Sequence, residues 1–163
     1  MNPTLRLPLE RVPVAGAVTV RAFLEAELRL AKSSFGEVDR YTKPVRFRVD
    51  TAADVTVMST AEARGRGLTV PEGVVAQRVM TAAGAVVKFI RVGTLVARIP
   101  GFEGELFFWP CHFHEDLPAT FLPLLGMAGV VNGAKRLKLT IDADPAGGEL
   151  LVELKRGPAP AAA

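Results

Sequence analysis

The sequence predicts an all-β domain, and three observations carry that prediction. Apolar residues recur at every second position over most of the chain. Clusters of glycine, proline and small polar residues punctuate those runs at short intervals. One short stretch, "STAEARGRGL", carries the capped signature of a helix. With 163 residues, 49% of them hydrophobic, the chain is long enough for one ordinary domain with its own core. No internal repeat and no interdomain linker interrupts it.

The strands follow in order. Val18, Val20, Ala22, Leu24, Ala26, Leu28 and Leu30 alternate with Thr, Arg and Glu, which favours one long strand, although "FLEAELRLAK" alone would suit a helix. Val45, Phe47 and Val49 alternate with Arg46 and Arg48, and Val55 and Val57 continue beyond two acids. The helix signature has Ser59 as N-cap, Glu62 three residues on and Gly67 near the stop. Further strands are expected over Val74–Met80, Ala85–Ile99, Glu105–Trp109, Leu137–Ile141 and Glu149–Lys155. "TAAG" at Thr81–Gly84 reads as a hairpin tip, and "DADPAGGE" as a further turn.

Composition excludes several function classes. A formal charge of +3, with no basic run interleaved with aromatics, argues against a nucleic-acid partner. No apolar run reaches the length of a membrane span, and the opening residues lack the unbroken apolar core of a signal peptide. The one cysteine, Cys111, rules out a disulfide within the chain and suits a reducing compartment, so a cytoplasmic location is expected. The expected organisation is an N-terminal extension over 1–13, a single domain over 14–155 and a disordered tail over 156–163.

The stretch "VRFRVDTAADVTVMST" raises the functional question. An acid at the end of a buried strand is costly unless it is satisfied. Taken alone, Asp-Thr-Ala-Ala-Asp is an Asx-turn with no chemistry. In context, apolar-x-apolar-Asp-Thr-Ala-Ala-Asp-x-Thr-Val-Met resembles the active-site loop of the retropepsin-like aspartic proteases. Asp50 falls on that family's catalytic aspartate, and Thr51 on the hydroxyl residue that cross-links two such loops. Ala53, Asp54, Thr56 and Val57 also match. Downstream, "FLPLLGMAGVV" resembles the family's apolar-apolar-Gly motif, with Leu124, Leu125 and Gly126 placed behind the catalytic loop. The hairpin between the two motifs sits where the family has its flap. The resemblance spans roughly Val14 to Leu154 and implies a single-lobe, closed β-barrel fold with one short helix after Leu-Leu-Gly.

It also implies a reaction, aspartic endopeptidase cleavage of a peptide or protein substrate. Hydrolysis of an amide needs one group to take a proton from water and another to give one to the carbonyl. Two adjacent carboxylates that share a proton do both, with no cofactor and no metal. One Asp-Thr-Ala-Ala segment occurs in the chain. Asp142 and Asp144 lack the following Thr/Ser-Gly/Ala and read as a polar turn. The expectation is therefore a homodimer with Asp50 and Thr51 from each subunit. Ala52, Ala53, Asp54 and the flap residues Thr81, Ala82, Ala83 and Gly84 would contact the peptide. Two positions depart from the family: Ala52 stands where it has Gly, and Met127 where retroviral members have Arg. Ala52 keeps a rival open, the same fold used as a dimerising or peptide-binding module with little or no catalysis.

"CHFHED" offers one more constellation. His112, His114 and Asp116 would share a strand face as a possible metal edge, but a zinc site needs a fourth ligand, and two histidines side by side on an exposed strand are common, so no metal site is expected there. Cys111 and Phe113 would face the other way, into the core.

Overall fold

The computed structural model describes residues 4–31, 40–70, 77–80, 86–126, 134–144 and 147–156. Among these, ten strands and one short helix succeed one another as β1 (Thr4–Val14), β2 (Ala17–Leu30), β3 (Val45–Asp50), β4 (Thr56–Ser59), α1 (Thr60–Gly65), β5 (Gln77–Met80), β6 (Val86–Arg98), β7 (Glu105–His114), β8 (Leu124–Gly126), β9 (Ala134–Asp144) and β10 (Gly147–Arg156). The fold is all-β, as expected.

The strands hydrogen-bond in the order β5-β6-β7-β4-β8-β3-β2-β1-β10-β9, and β6 also pairs with β2. That extra pairing closes β2, β3, β8, β4, β7 and β6 into a ring. Length makes the closure possible. The first part of β2 pairs with β1, from Ala17 to Ala22. Its middle, Phe23–Ala26, pairs with β3, and its end, Glu27–Leu30, pairs with β6. One continuous strand therefore serves three neighbours. β1, β10 and β9 extend from the ring as an antiparallel ribbon.

The core follows the period-two pattern. Leu24, Ala26 and Leu28 of β2, Val45 and Phe47 of β3, and Phe108, Cys111 and Phe113 of β7 are buried inside the ring. Phe47 and Phe108 meet edge to face, 5.8 Å between centroids. Leu5, Leu7, Leu150 and Val152 carry the same core out along the ribbon. The alternation does not imply burial along the whole of β2, however. Val18 and Val20 lie beyond the ring and are exposed.

Helix α1 begins as its sequence indicates: the Ser59 hydroxyl accepts the Glu62 N–H at 3.0 Å. Other elements differ from expectation. Residues 4–14, expected to belong mainly to an N-terminal extension, form β1 within the sheet. Pro8 falls where β1 changes partner, from β10 over Thr4–Pro8 to β2 over Leu9–Val14, so its missing donor interrupts neither ladder at its centre. β7 runs past Trp109 to His114, because Pro110 falls where the β6–β7 register shifts between Gly93↔Cys111 and Leu95↔Phe108. β9 is also longer than the alternation indicated. β5 and β6 pair up to Met80↔Val86, but the tip Thr81–Gly84 lies outside the described residues. So do the helix expected after Leu-Leu-Gly and the tail beyond Arg156. No helix among the described residues is long and apolar enough to cross a membrane.

β1 and β2 are joined by Ala15 and Gly16, both at positive φ, +46° and +83°. This is the backbone of a two-residue hairpin turn that matches strand twist, but alanine occupies a position suited to Asn, Asp or Gly. Ala15→Asn should therefore stabilise the protein by on the order of 1 kcal/mol in chemical denaturation.

Candidate active site

Asp50 is the last residue of β3, at the point where that strand leaves the ring. β8 holds it there. Arg48, Val49 and Asp50 lie parallel to Leu124, Leu125 and Gly126, while Leu124 also faces Val57 of β4 in antiparallel register. The three-residue strand β8 is thus inserted between the two strands that flank the acidic loop. It enters with the Arg48 N–H bonded to the Pro123 carbonyl at 2.8 Å.

Two contacts fix the insertion. The Gly126 N–H donates to the hydroxyl of Thr56 at 3.3 Å, and Thr56 is fully buried. A β-carbon on residue 126 would lie 2.2 Å from the Val55 carbonyl oxygen and 2.4 Å from its carbon. Both are backbone atoms, so no rotamer change relieves the clash. Gly126 is there because the two chain segments touch.

The loop itself is a tight turn. The Asp50 carboxylate accepts the Ala52 N–H at 3.1 Å, and the Asp50 carbonyl accepts the Ala53 N–H at 3.3 Å. This is the Asx-turn the sequence allowed, and it aims the half-buried carboxylate outward. Thr51, Ala52 and Asp54 are exposed and Ala53 is half-buried. Ala52 is not among the residues at positive φ, so its methyl group introduces no backbone strain where the family has glycine. Met127, the second departure, lies outside the described residues, as do Thr81, Ala82, Ala83 and Gly84.

Asp50 and Thr51 open onto a groove of about 320 Å³. Leu9, Val20, Ala22, Val49, Ile141 and Leu150 form its apolar wall, and Arg21 and Arg48 its basic edge. Among the described residues, Asp50 is the one carboxylate that lines it. The walls come from β1, β2, β9 and β10 as well as β3, so the ribbon outside the ring helps to build the site. None of these wall residues stands out in sequence, because each reads as an ordinary strand position.

Residues 31–99 match the aspartyl protease family model, a segment that includes β3, the Asp50 loop, α1 and β6. The resemblance to retropepsin-like aspartic proteases holds. Among solved structures, a retropepsin-like aspartic protease from Rickettsia conorii is similar over 96% of this chain and 97% of that one, at 15% identity and a TM-score of 0.49. A search of curated proteins returns no match.

The histidines lie elsewhere on the barrel. Phe89 stacks on His112 at 4.0 Å and on His114 at 5.6 Å, which accounts for the pair as ring packing between β6 and β7. Among the described residues, the buried Nε2 atom of His114 has no hydrogen-bond partner. Cys111 is fully buried, and burial pushes its thiol far up from the ordinary range, so it is no nucleophile.

Two outcomes follow. Gly126→Ala should lower stability by about 3 kcal/mol in chemical denaturation, since the clash is with backbone. His114 gives a pH signature. Burial holds its proton affinity below the ordinary 6.5, with Asp116 opposing. As pH falls through 6.5, the unfolded chain gains a proton that the folded chain resists, so stability is full above that pH and declines below it. Thermal melts from neutral to mildly acidic pH should show a smaller decline in His114→Phe than in the wild type.

Proposed function

We propose that the chain is an aspartic endopeptidase that works as a two-fold dimer, with Asp50 of each subunit at the axis. The observation that carries this reading is a single carboxylate, at the end of a strand fixed from behind, opening on a peptide-sized groove. The family match over the same segment supports it. The chemistry needs a second carboxylate, and among the described residues Asp50 is the one acid at the groove, so this reading draws the second from another copy.

In the dimer the two Asp50 carboxylates share one proton, because both cannot ionise at hydrogen-bond distance. The ionised member takes a proton from a water molecule, whose oxygen attacks the peptide carbonyl carbon. The protonated member gives its proton to the carbonyl oxygen. Collapse of the tetrahedral intermediate breaks the C–N bond, and the nitrogen leaves with a proton returned from the pair. Thr51 would brace one loop against its mate, while Ala52 and Ala53 floor the cleft and the Thr81–Gly84 hairpin covers the peptide. A peptide-binding module is the second reading, and Ala52 favours it by adding a methyl group to the cleft floor.

On a denatured protein substrate, Asp50→Asn should lower kcat/KM by about 10³-fold, since an amide cannot act as the base. Activity should fall at both ends of the pH range, where the pair is fully ionised or fully protonated. Ala52→Gly should raise turnover. Cleavage by Asp50→Asn equal to wild type would exclude the mechanism. No cleavage by either wild type or Ala52→Gly would leave the binding module.

A further inference from the structure

Three arginines stand on the face of the sheet that ends at Asp50: Arg21 on β2, and Arg46 and Arg48 on β3. Cross-strand register places them together, with Phe23 opposite Arg48, Glu25 opposite Arg46, and Glu10 of β1 opposite Arg21. Their charges are not equally compensated. Glu10 pairs with Arg46, at 2.5 Å, and Arg46 also lies over the Phe23 ring at 4.2 Å. The carboxylate facing Arg21 across the strands is therefore committed elsewhere. Arg21 retains one weak side-chain contact, to the Thr19 hydroxyl at 3.3 Å. Arg48 is half-buried, and among the described residues its guanidinium has no side-chain partner.

These two under-compensated arginines are the two that line the groove at Asp50. Asp50 does not neutralise them. Its carboxylate accepts the Ala52 N–H, and no ion pair joins it to either arginine among the described residues. A guanidinium held at an apolar wall loses hydration without gaining a counter-charge, which favours a ligand that brings one. Arginine suits a carboxylate in particular, because its planar fork donates two parallel hydrogen bonds.

We infer that the groove selects an extended peptide in which an Asp or Glu side chain lies within two residues of a bulky apolar one. Arg48 binds the acid, Arg21 is the second donor, and Val20, Val49, Ile141 and Leu150 take the apolar side chain. Arg48 precedes Asp50 by two residues, about 6.6 Å along a strand, which is also two residues of an extended peptide. The acid thus falls within two positions of the bond above Asp50. This inference rests on the proposed function for the location of substrate and adds its class.

Binding tests it apart from catalysis. Three labelled peptides, identical except for Glu, Gln or Lys two residues from a Phe, are titrated into full-length Asp50→Asn protein by fluorescence anisotropy. The Glu peptide should bind about tenfold more tightly than the Gln peptide, and the Lys peptide more weakly than either. Salt should narrow the gap. Arg48→Glu in the same background should reverse the order in favour of Lys, and Arg21→Gln should reduce the Glu preference in part. Equal binding of the Glu and Gln peptides, no binding of any of the three, or an unchanged order in Arg48→Glu would overturn the inference. If the Glu preference appears but wild type cleaves nothing, the protease reading fails and the selection stands. Asp50-dependent cleavage without an acid preference does the opposite.

Discussion

The contact between Gly126 and the Val55 backbone is the constraint on which the site depends. It allows β8 to lie between β3 and β4, and β8 is what turns an acidic loop into a fixed one. Without that strand, Asp50 would end a strand with no neighbour on one side, and the loop would be held by its own Asx-turn alone. With it, the loop is pinned at both ends: Asp50 through its register with Gly126, and Thr56 through the hydroxyl that accepts the Gly126 N–H. A catalytic carboxylate must be held to within a fraction of an ångström, and rigid strand ends hold side chains better than loops do.

Much of this was legible in the sequence because it depends on short-range pattern. The alternation up to Val49 and the acid that follows place Asp50 at a strand end. Ser59 and Glu62 announce α1, and the alternation through Cys111 and Phe113 gives their inward face. The Leu-Leu-Gly triplet is uninformative by itself. Its meaning comes from the strand it meets, and the resemblance to retropepsin-like proteases supplied that link. The elements that were missed depend on distant partners. β1 carries prolines at 8 and 13, and its burial comes from β10 at the other end of the chain, so local pattern undervalues it. β7 continues through Pro110 because of a register shift in its neighbour, which local sequence does not encode. The basic edge of the groove was missed for a similar reason. Arg21 and Arg48 look like ordinary solvent-facing strand residues until the pairing of Glu10 with Arg46 is known.

The same geometry divides the work between the barrel and the ribbon. The ring positions the acid, whereas the ribbon of β1, β10 and β9 supplies much of the apolar wall beside it. Under the proposed function, substitutions in the ribbon, such as at Leu9 or Ile141, therefore act on what the groove accepts, while those at Gly126 or Thr56 act on where Asp50 points. In that reading, such a separation permits substrate range to change without disturbing the carboxylate. Under the proposed function, position 52 is then a matter of steric room rather than of strain, because the Ala52 backbone is unstrained.

The central claim is that one active site draws Asp50 from two chains. Mixing tests it most directly. Wild-type and Asp50→Asn chains are unfolded together, refolded at fixed total concentration in varying ratio, and assayed for peptide cleavage. If each site needs two Asp50 carboxylates, activity follows the square of the wild-type fraction and an equal mixture retains about one quarter of full activity. A linear dependence, with about one half retained in the equal mixture, would show that a single chain carries the whole site and would contradict the two-chain mechanism.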